Sequence, residues 1–308
     1  MSAAAKVFSA GSHEEWLSAR GRRIGGSTIA AIMGYDKYRT PYQVWKDLTG
    51  RSNDNLGGNK FVIAGHRLEQ AVAEYFAEET GFKIIESSRG DTLYVHQEHD
   101  YLVASPDRMY INESGKTCVL ECKTTQNTID DTPLAWYCQL QWYLMITGCG
   151  EGSIAWLTRG VDFGCRQFYA NVDFQNELLL AAVDFWNNNV LTDNVPDFAN
   201  SSDIESFYQE TTGDVVEADN RLLQLHMELR SVKDQIKTLE AKEGELSEMV
   251  KLRMCNAEAV KYFGKSLFTW KQVSRVTVDS KRLKAEKPDI YVDYSKESVS
   301  RPFLVKEA

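Results

Sequence analysis

Ser105-Pro106-Asp107 and, fourteen residues after that aspartate, Glu121-Cys122-Lys123 form the stretch whose reading decides the fold. Asp107 follows the short apolar run Tyr101-Leu102-Val103-Ala104, and residues 119–123 read as a second strand. Asn112-Glu113-Ser114-Gly115 supplies the turn between the two. Neighbouring strands then hold Asp107 and Glu121 close together. Successive side chains of a strand point to opposite faces, so Glu121 and Lys123 share one face while Leu120 and Cys122 enter the layer behind it. Carboxylate oxygens in a partly open site suit Mg²⁺ or Mn²⁺, which complete their shells with water or substrate phosphate. Lys123 is then placed to orient an attacking water or to steady developing negative charge. An exposed hairpin with ordinary solvated charges is the alternative that so short a pattern leaves open.

Three further segments bear on that choice. Gly65-His66-Arg67-Leu68-Glu69 opens an amphipathic helix carrying Leu68, Val72, Tyr75 and Phe76, which places Glu69 near its first turn. Tyr137-Cys138-Gln139-Leu140-Gln141-Trp142-Tyr143 lies in an apolar helix after the second strand, where two glutamines are unusual. Near the N-terminus, Trp16 precedes Arg20 and then Arg23-Ile24-Gly25-Gly26-Ser27. Taken in order, the four blocks resemble the lambda-exonuclease and YqaJ-type viral recombinase family of PD-(D/E)xK nucleases, over residues 14–190.

The resemblance implies a restriction-endonuclease-like α/β core, a mixed central sheet flanked by helices. Carried over by motif, Asp107 and Glu121 would bind metal, the carbonyl of Cys122 would add a ligand and Glu69 would complete the acidic cluster. Lys123 would serve the nucleophile and Gln139 would support the water or metal, with two Mg²⁺ (or Mn²⁺) ions expected. Arg20, Ser27 and Ser105 match a pocket for the 5′-phosphate of a DNA end, although Arg22 and Arg23 leave the choice within the arginine cluster open. Relatives often carry glycine after the Pro-Asp pair, where this chain has Arg108. Each residue has a plainer reading too. Glu69 could favour a helix dipole, Ser27 could cap a helix over 28–33, Gln141 reads as part of a surface stripe, and His66 reads as a surface histidine rather than a ligand.

Composition sets the outer bounds. A chain of 308 residues can bury a full core and fits one domain of about 200 residues plus an appendage. The longest apolar run, residues 178–183, is too short to span a bilayer, and a cytoplasmic protein without a membrane partner is expected. Six cysteines without a C-x-x-C pair argue against a zinc ribbon or an iron–sulfur cluster. Net charge is −9, which is unexpected for a DNA-binding chain. The charge is uneven, however: residues 201–250 hold twelve Asp/Glu against five Lys/Arg, whereas residues 251–308 hold thirteen Lys/Arg against seven Asp/Glu. A local basic surface attracts phosphate despite an acidic total.

Helix-like and strand-like segments alternate through residues 1–190, as in an α/β core. Residues 191–213 read as a linker, and 214–308 as an appendage. From Leu222 the apolar residues fall on alternating steps of three and four, through Leu225, Leu229, Val232, Ile236, Leu239, Leu246 and Val250, interrupted at Glu243 and Arg253. This predicts a long helix with a coiled-coil-like seam, bent or turned at Gly244. A strand over 266–271 and a basic, aromatic tail follow. The expected activity is a Mg²⁺-dependent 5′-to-3′ exonuclease on double-stranded DNA ends. Structure-specific or endonucleolytic cleavage and a non-catalytic DNA-end module are the alternatives. A trimer or other closed ring and a single-strand annealing protein are the expected partners.

Overall fold

The computed structural model describes residues 6–9, 15, 21–52, 60–85, 92–296 and 300–306. The chain divides into two compact units, Met1–Phe207 and Tyr208–Ala308. In chain order the first contains β1 (Lys6–Ser9), α1 (Gly26–Ile32), α2 (Pro41–Thr49), α3 (Lys60–Thr80), β2 (Lys83–Ile85), β3 (Thr92–Val95) and β4 (Val103–Ala104). There follow β5 (Arg108–Ile111), β6 (Thr117–Thr125), α4 (Leu134–Thr147), β7 (Glu151–Thr158), β8 (Asp162–Tyr169), α5 (Val172–Phe185) and α6 (Ser201–Phe207).

This unit is a mixed α/β fold around a five-stranded sheet in the order β2-β5-β6-β7-β8. Its pairs are antiparallel except β6 with β7, which run parallel with α4 as the crossover between them. The β6–β7 approach depends on Gly152, where a Cβ would stand 2.7 Å from the Val119 carbonyl oxygen. A smaller sheet orders β1-β3-β4, and Ile24 bridges to Leu102 beside it.

The alternation along the central strands produces two cores, one on each face of the sheet. Val119, Ile154 and Trp156 pack with Ile29, Leu140, Trp142 and Leu178 on the α1, α4 and α5 side. Leu120, Cys122, Ala155 and Leu157 pack with Val72 and Phe76 of α3 on the other. Strands buried on both faces read as continuous apolar runs, which explains Ile154-Ala155-Trp156-Leu157.

Several local expectations change. The run 101–104 does not pair with the strand of Glu121. It ends in β4 of the small sheet, and the partner of β6 is β5, which begins just after Asp107. Glu69 lies in the middle of α3 rather than in its first turn, so the helix dipole has no hold on it. Gln141 is fully buried: its amide donates to Tyr169 O (2.8 Å) and its oxygen accepts from Asn171 N (2.9 Å) and Gln175 Nε2 (3.1 Å). It stitches α4 to the chain entering α5 and is no surface stripe. Gln141→Leu is therefore expected to destabilise the fold by about 2–4 kcal/mol, because each buried polar group left unmatched costs about 1–3 kcal/mol; thermal unfolding measures it.

The linker also begins later than the sequence suggests, because residues 191–207 belong to the first unit. Phe198 and Phe207 set their rings edge-on to Tyr42 of α2, and the Thr40 hydroxyl donates to the buried Asp203 carboxylate (3.0 Å). Two aromatic anchors outweigh the polar, proline-bearing composition that reads as a linker.

The second unit contains α7 (Asn220–Met254), the hairpin β9 (Ala259–Tyr262) and β10 (Lys265–Thr269), then α8 (Ser280–Glu286) and α9 (Pro288–Asp293). Asp219 caps α7 by accepting from Leu222 N (2.7 Å). The helix runs through Gly244 without a hairpin, since one glycine costs only about 1 kcal/mol in a helix of 35 residues. Its apolar seam is exposed, Leu222, Leu225, Ile236, Leu239 and Leu246 included. No helix among the described residues is long and apolar enough to cross a membrane.

Candidate active site

Extending the β5–β6 register by one residue from the pair Arg108–Leu120 sets Asp107 opposite Glu121. Asp107 Oδ2 accepts from the backbone N–H of Cys122 (2.9 Å), so a side chain takes the place of a ladder carbonyl where β5 begins. On β6, Lys123 Nζ donates to Glu121 Oε1 (2.6 Å), confirming that these two side chains share a face. The same ammonium donates to Gln139 Oε1 (2.8 Å) on α4, and Gln139 Nε2 donates to the Tyr143 hydroxyl (2.9 Å) one helical turn on. A continuous chain thus runs from Glu121 through Lys123 and Gln139 to Tyr143.

Gly26 braces this chain from α1. A Cβ there would stand 2.6 Å from Tyr143 Cε1 and 2.7 Å from Gln139 Cγ, so only glycine permits the contact. Neither Gly26 nor Tyr143 carries a chemical group that marks it in sequence; the QLQWY spacing, with Tyr143 four residues after Gln139, is the signal that could have found the tyrosine. Gly26→Ala is expected to displace Gln139 from Lys123 and cost about 1–3 kcal/mol of stability through overpacking. Turnover should fall roughly tenfold, as steady-state kinetics beside a thermal melt would register.

Glu69 is carried by α3 on the opposite face of the sheet, where its charge acts on the Cys122 thiol, with His66 Nδ1 3.2 Å from its Oε1. Arg108 donates to the Asp107 backbone oxygen (2.6 Å) and to Gln70 Oε1 (2.9 Å), turning its guanidinium away from the carboxylates. Ser105 is half-buried two residues before Asp107. Ser27 is exposed and lies inside α1; the N-cap is Gly25, so Ser27 does not cap that helix. Arg20 and Trp16 lie outside the described residues.

Burial is strict for the acids: Glu121 is 2% exposed, Asp107 and Glu69 9% each. Burial opposes the Lys123 charge, yet Glu121 and then Asp107 outweigh it and raise its pKa above lysine's ordinary value, so it remains an ammonium. Burial, reinforced by Asp107 and Glu121, pushes the Cys122 thiol well above its usual range. Cys122 therefore keeps its proton, so its thiol is no ligand for a hard cation.

Two nearly buried carboxylates, Asp107 and Glu121, act on the Lys123 ammonium, and these hard oxygens are of the kind a divalent cation such as Mg²⁺ takes. Among the described residues no three His, Cys, Asp or Glu side chains are gathered closely enough to hold an ion by themselves. An ion here would complete its shell with main-chain oxygen, water or phosphate, as Mg²⁺ habitually does.

The YqaJ-like viral recombinase domain matches residues 15–150, the part that carries every one of these side chains. Among solved structures, the alkaline exonuclease LHK-Exo of Laribacter hongkongensis is 18% identical at a TM-score of 0.45, covering 57% of this chain and 91% of that one. A phage-related exonuclease from Haemophilus somnus 129PT is 15% identical at a TM-score of 0.37, covering 55% of this chain and 96% of that one. The protein YqaJ of Bacillus subtilis strain 168 is 30% identical over 96% of this chain and 95% of its own length, and the chain belongs with it to the YqaJ-like viral recombinase family.

Proposed function

We propose that the chain is a Mg²⁺-dependent exonuclease of the PD-(D/E)xK type that degrades the 5′ strand from double-stranded DNA ends. The observation that carries the reading is the clamp on Lys123, whose ammonium is fixed between Glu121 and Gln139 beside Asp107. Asp107, Glu121, Glu69 and the main-chain oxygen of Cys122 would hold one or two ions. When bound, the metal supplies Lewis-acid polarisation of the phosphate and a more acidic water. Lys123 orients the attacking water and steadies charge on the phosphate oxygens, Gln139 fixes Lys123, and Tyr143 fixes Gln139. Ser27 and Ser105, together with Arg20 or a neighbouring arginine, would receive the terminal 5′-phosphate.

Within the same reading the 3′ single strand left behind passes to a single-strand annealing protein. The protein forms a closed homo-oligomer such as a trimer, for which the exposed seam of α7 offers contact surface. A duplex blocked at one end tests the polarity: with Mg²⁺ the strand whose 5′ terminus lies at the free blunt end should shorten while the strand whose 3′ terminus lies there persists. Digestion of covalently closed circles would instead make the enzyme an endonuclease, and an intact duplex would make the site non-catalytic.

A further inference from the structure

The hairpin β9–β10 is joined by Phe263-Gly264, both at positive φ (45° and 79°), the backbone of a tight two-residue hairpin turn. Its register pairs Tyr262 with Lys265 and Val260 with Phe268, with an irregularity at Leu267; beyond it, Trp270 N donates to Glu258 O (2.9 Å). Cross-strand partners share a face and side chains alternate along a strand. Tyr262, Phe268 and Trp270 therefore lie on one face of the ribbon, and they are 64%, 46% and 49% exposed. Phe263, at the turn, sets its ring edge-on to Tyr262 at 4.5 Å.

Charge separates this ribbon from the rest of the chain. Residues 259–278 contain four cations, Lys261, Lys265, Lys271 and Arg275, and no Asp or Glu, in a protein of net charge −9; Lys265 shares the aromatic face, Lys261 lies on the other, and Glu258, opposite Trp270, borders the face. All four are exposed, and among the described residues no ion pair engages them. Exposed aromatic rings interleaved with free cations are what a single strand requires, rings for the faces of unpaired bases and ammonium groups for phosphates. A duplex hides its base faces by stacking. A second copy of the ribbon would set like charges against each other.

We infer that the aromatic face of β9–β10 is a binding site for single-stranded DNA, separate from the nuclease centre. The choice of DNA over RNA rests on the proposed function, but the test is read without hydrolysis and so stands or falls apart from it. Full-length protein in EDTA is titrated into labelled oligo(dT) of about twenty nucleotides, sized to reach past a single binding module, and binding is followed by anisotropy across a salt series. Phe268→Ala or Trp270→Ala should weaken binding about five- to a hundredfold. Lys265→Gln with Lys271→Gln should lower the slope of log affinity against log salt by about 0.7 per lysine. Photocrosslinking of an iododeoxyuridine oligomer to unmodified protein should label the peptide holding Phe268 and Trp270, and this arm decides the matter if an aromatic variant fails to fold. Crosslinks confined to residues 1–207, or affinity and salt slope unchanged in every variant that folds, would overturn the site. Tighter binding of duplex or of oligo(U) would overturn its assignment to single-stranded DNA.

Discussion

Glu121→Gln is expected to lower hydrolysis of duplex ends by at least about a thousandfold while the protein remains folded. The substitution keeps the side chain's size and an oxygen that still accepts from Lys123 Nζ, so the 2.6 Å contact has a neutral replacement. What disappears is one of three nearly buried negative charges, and with it affinity for a divalent cation. A loss of several kcal/mol in charge stabilisation is at stake, and each 1.4 kcal/mol is tenfold in rate. Single-turnover assays across a Mg²⁺ series, with circular dichroism to verify folding, make the measurement. Near-normal turnover would remove Glu121 from the chemistry.

Lys123→Met should cut turnover about 10²–10³-fold, the usual loss when one preorganised electrostatic stabiliser is removed, while Mg²⁺ binding by calorimetry persists. Methionine fills much of the lysine stem's volume, so packing is largely kept and the ammonium is what is tested. Lys123→Arg should rescue only partly, because a planar guanidinium cannot meet Glu121 and Gln139 with the geometry of a compact ammonium. Unchanged turnover in the methionine variant would return Lys123 to an ordinary charge.

The juxtaposition of residues in the candidate site was readable wherever a residue type recurs at a fixed spacing. Asp107, Glu121 and Lys123 are such residues, and Gln139 stands out because a polar amide amid Leu, Trp and Tyr needs a reason. Gln141, with the same local signal, turned out to bind backbone near α5, a contact made 28 to 30 residues away in sequence that no local pattern encodes. Gly26 was opaque for the same cause, since its meaning resides in two side chains of another helix, Gln139 and Tyr143. In the fold, the two-residue side-chain period yielded the central strands. Residues 101–104 went to the wrong sheet because a short apolar run specifies burial without specifying a neighbour. Residues 191–207 misled because two aromatic anchors settle where a mostly polar segment docks.

Placing Glu69 and Gln139 on opposite sides of one sheet has a consequence for the order in which the candidate site is assembled. During synthesis, α3 with Glu69 emerges well before α4, and β7, which closes the crossover, emerges later still. A growing or truncated chain that ends before α4 can display acids, yet it has no partner to fix the lysine and no second core to hold the sheet. Under the proposed function, hydrolysis would therefore await completion of both layers of the sheet, because the residues that clamp Lys123 and close the crossover come last in the chain.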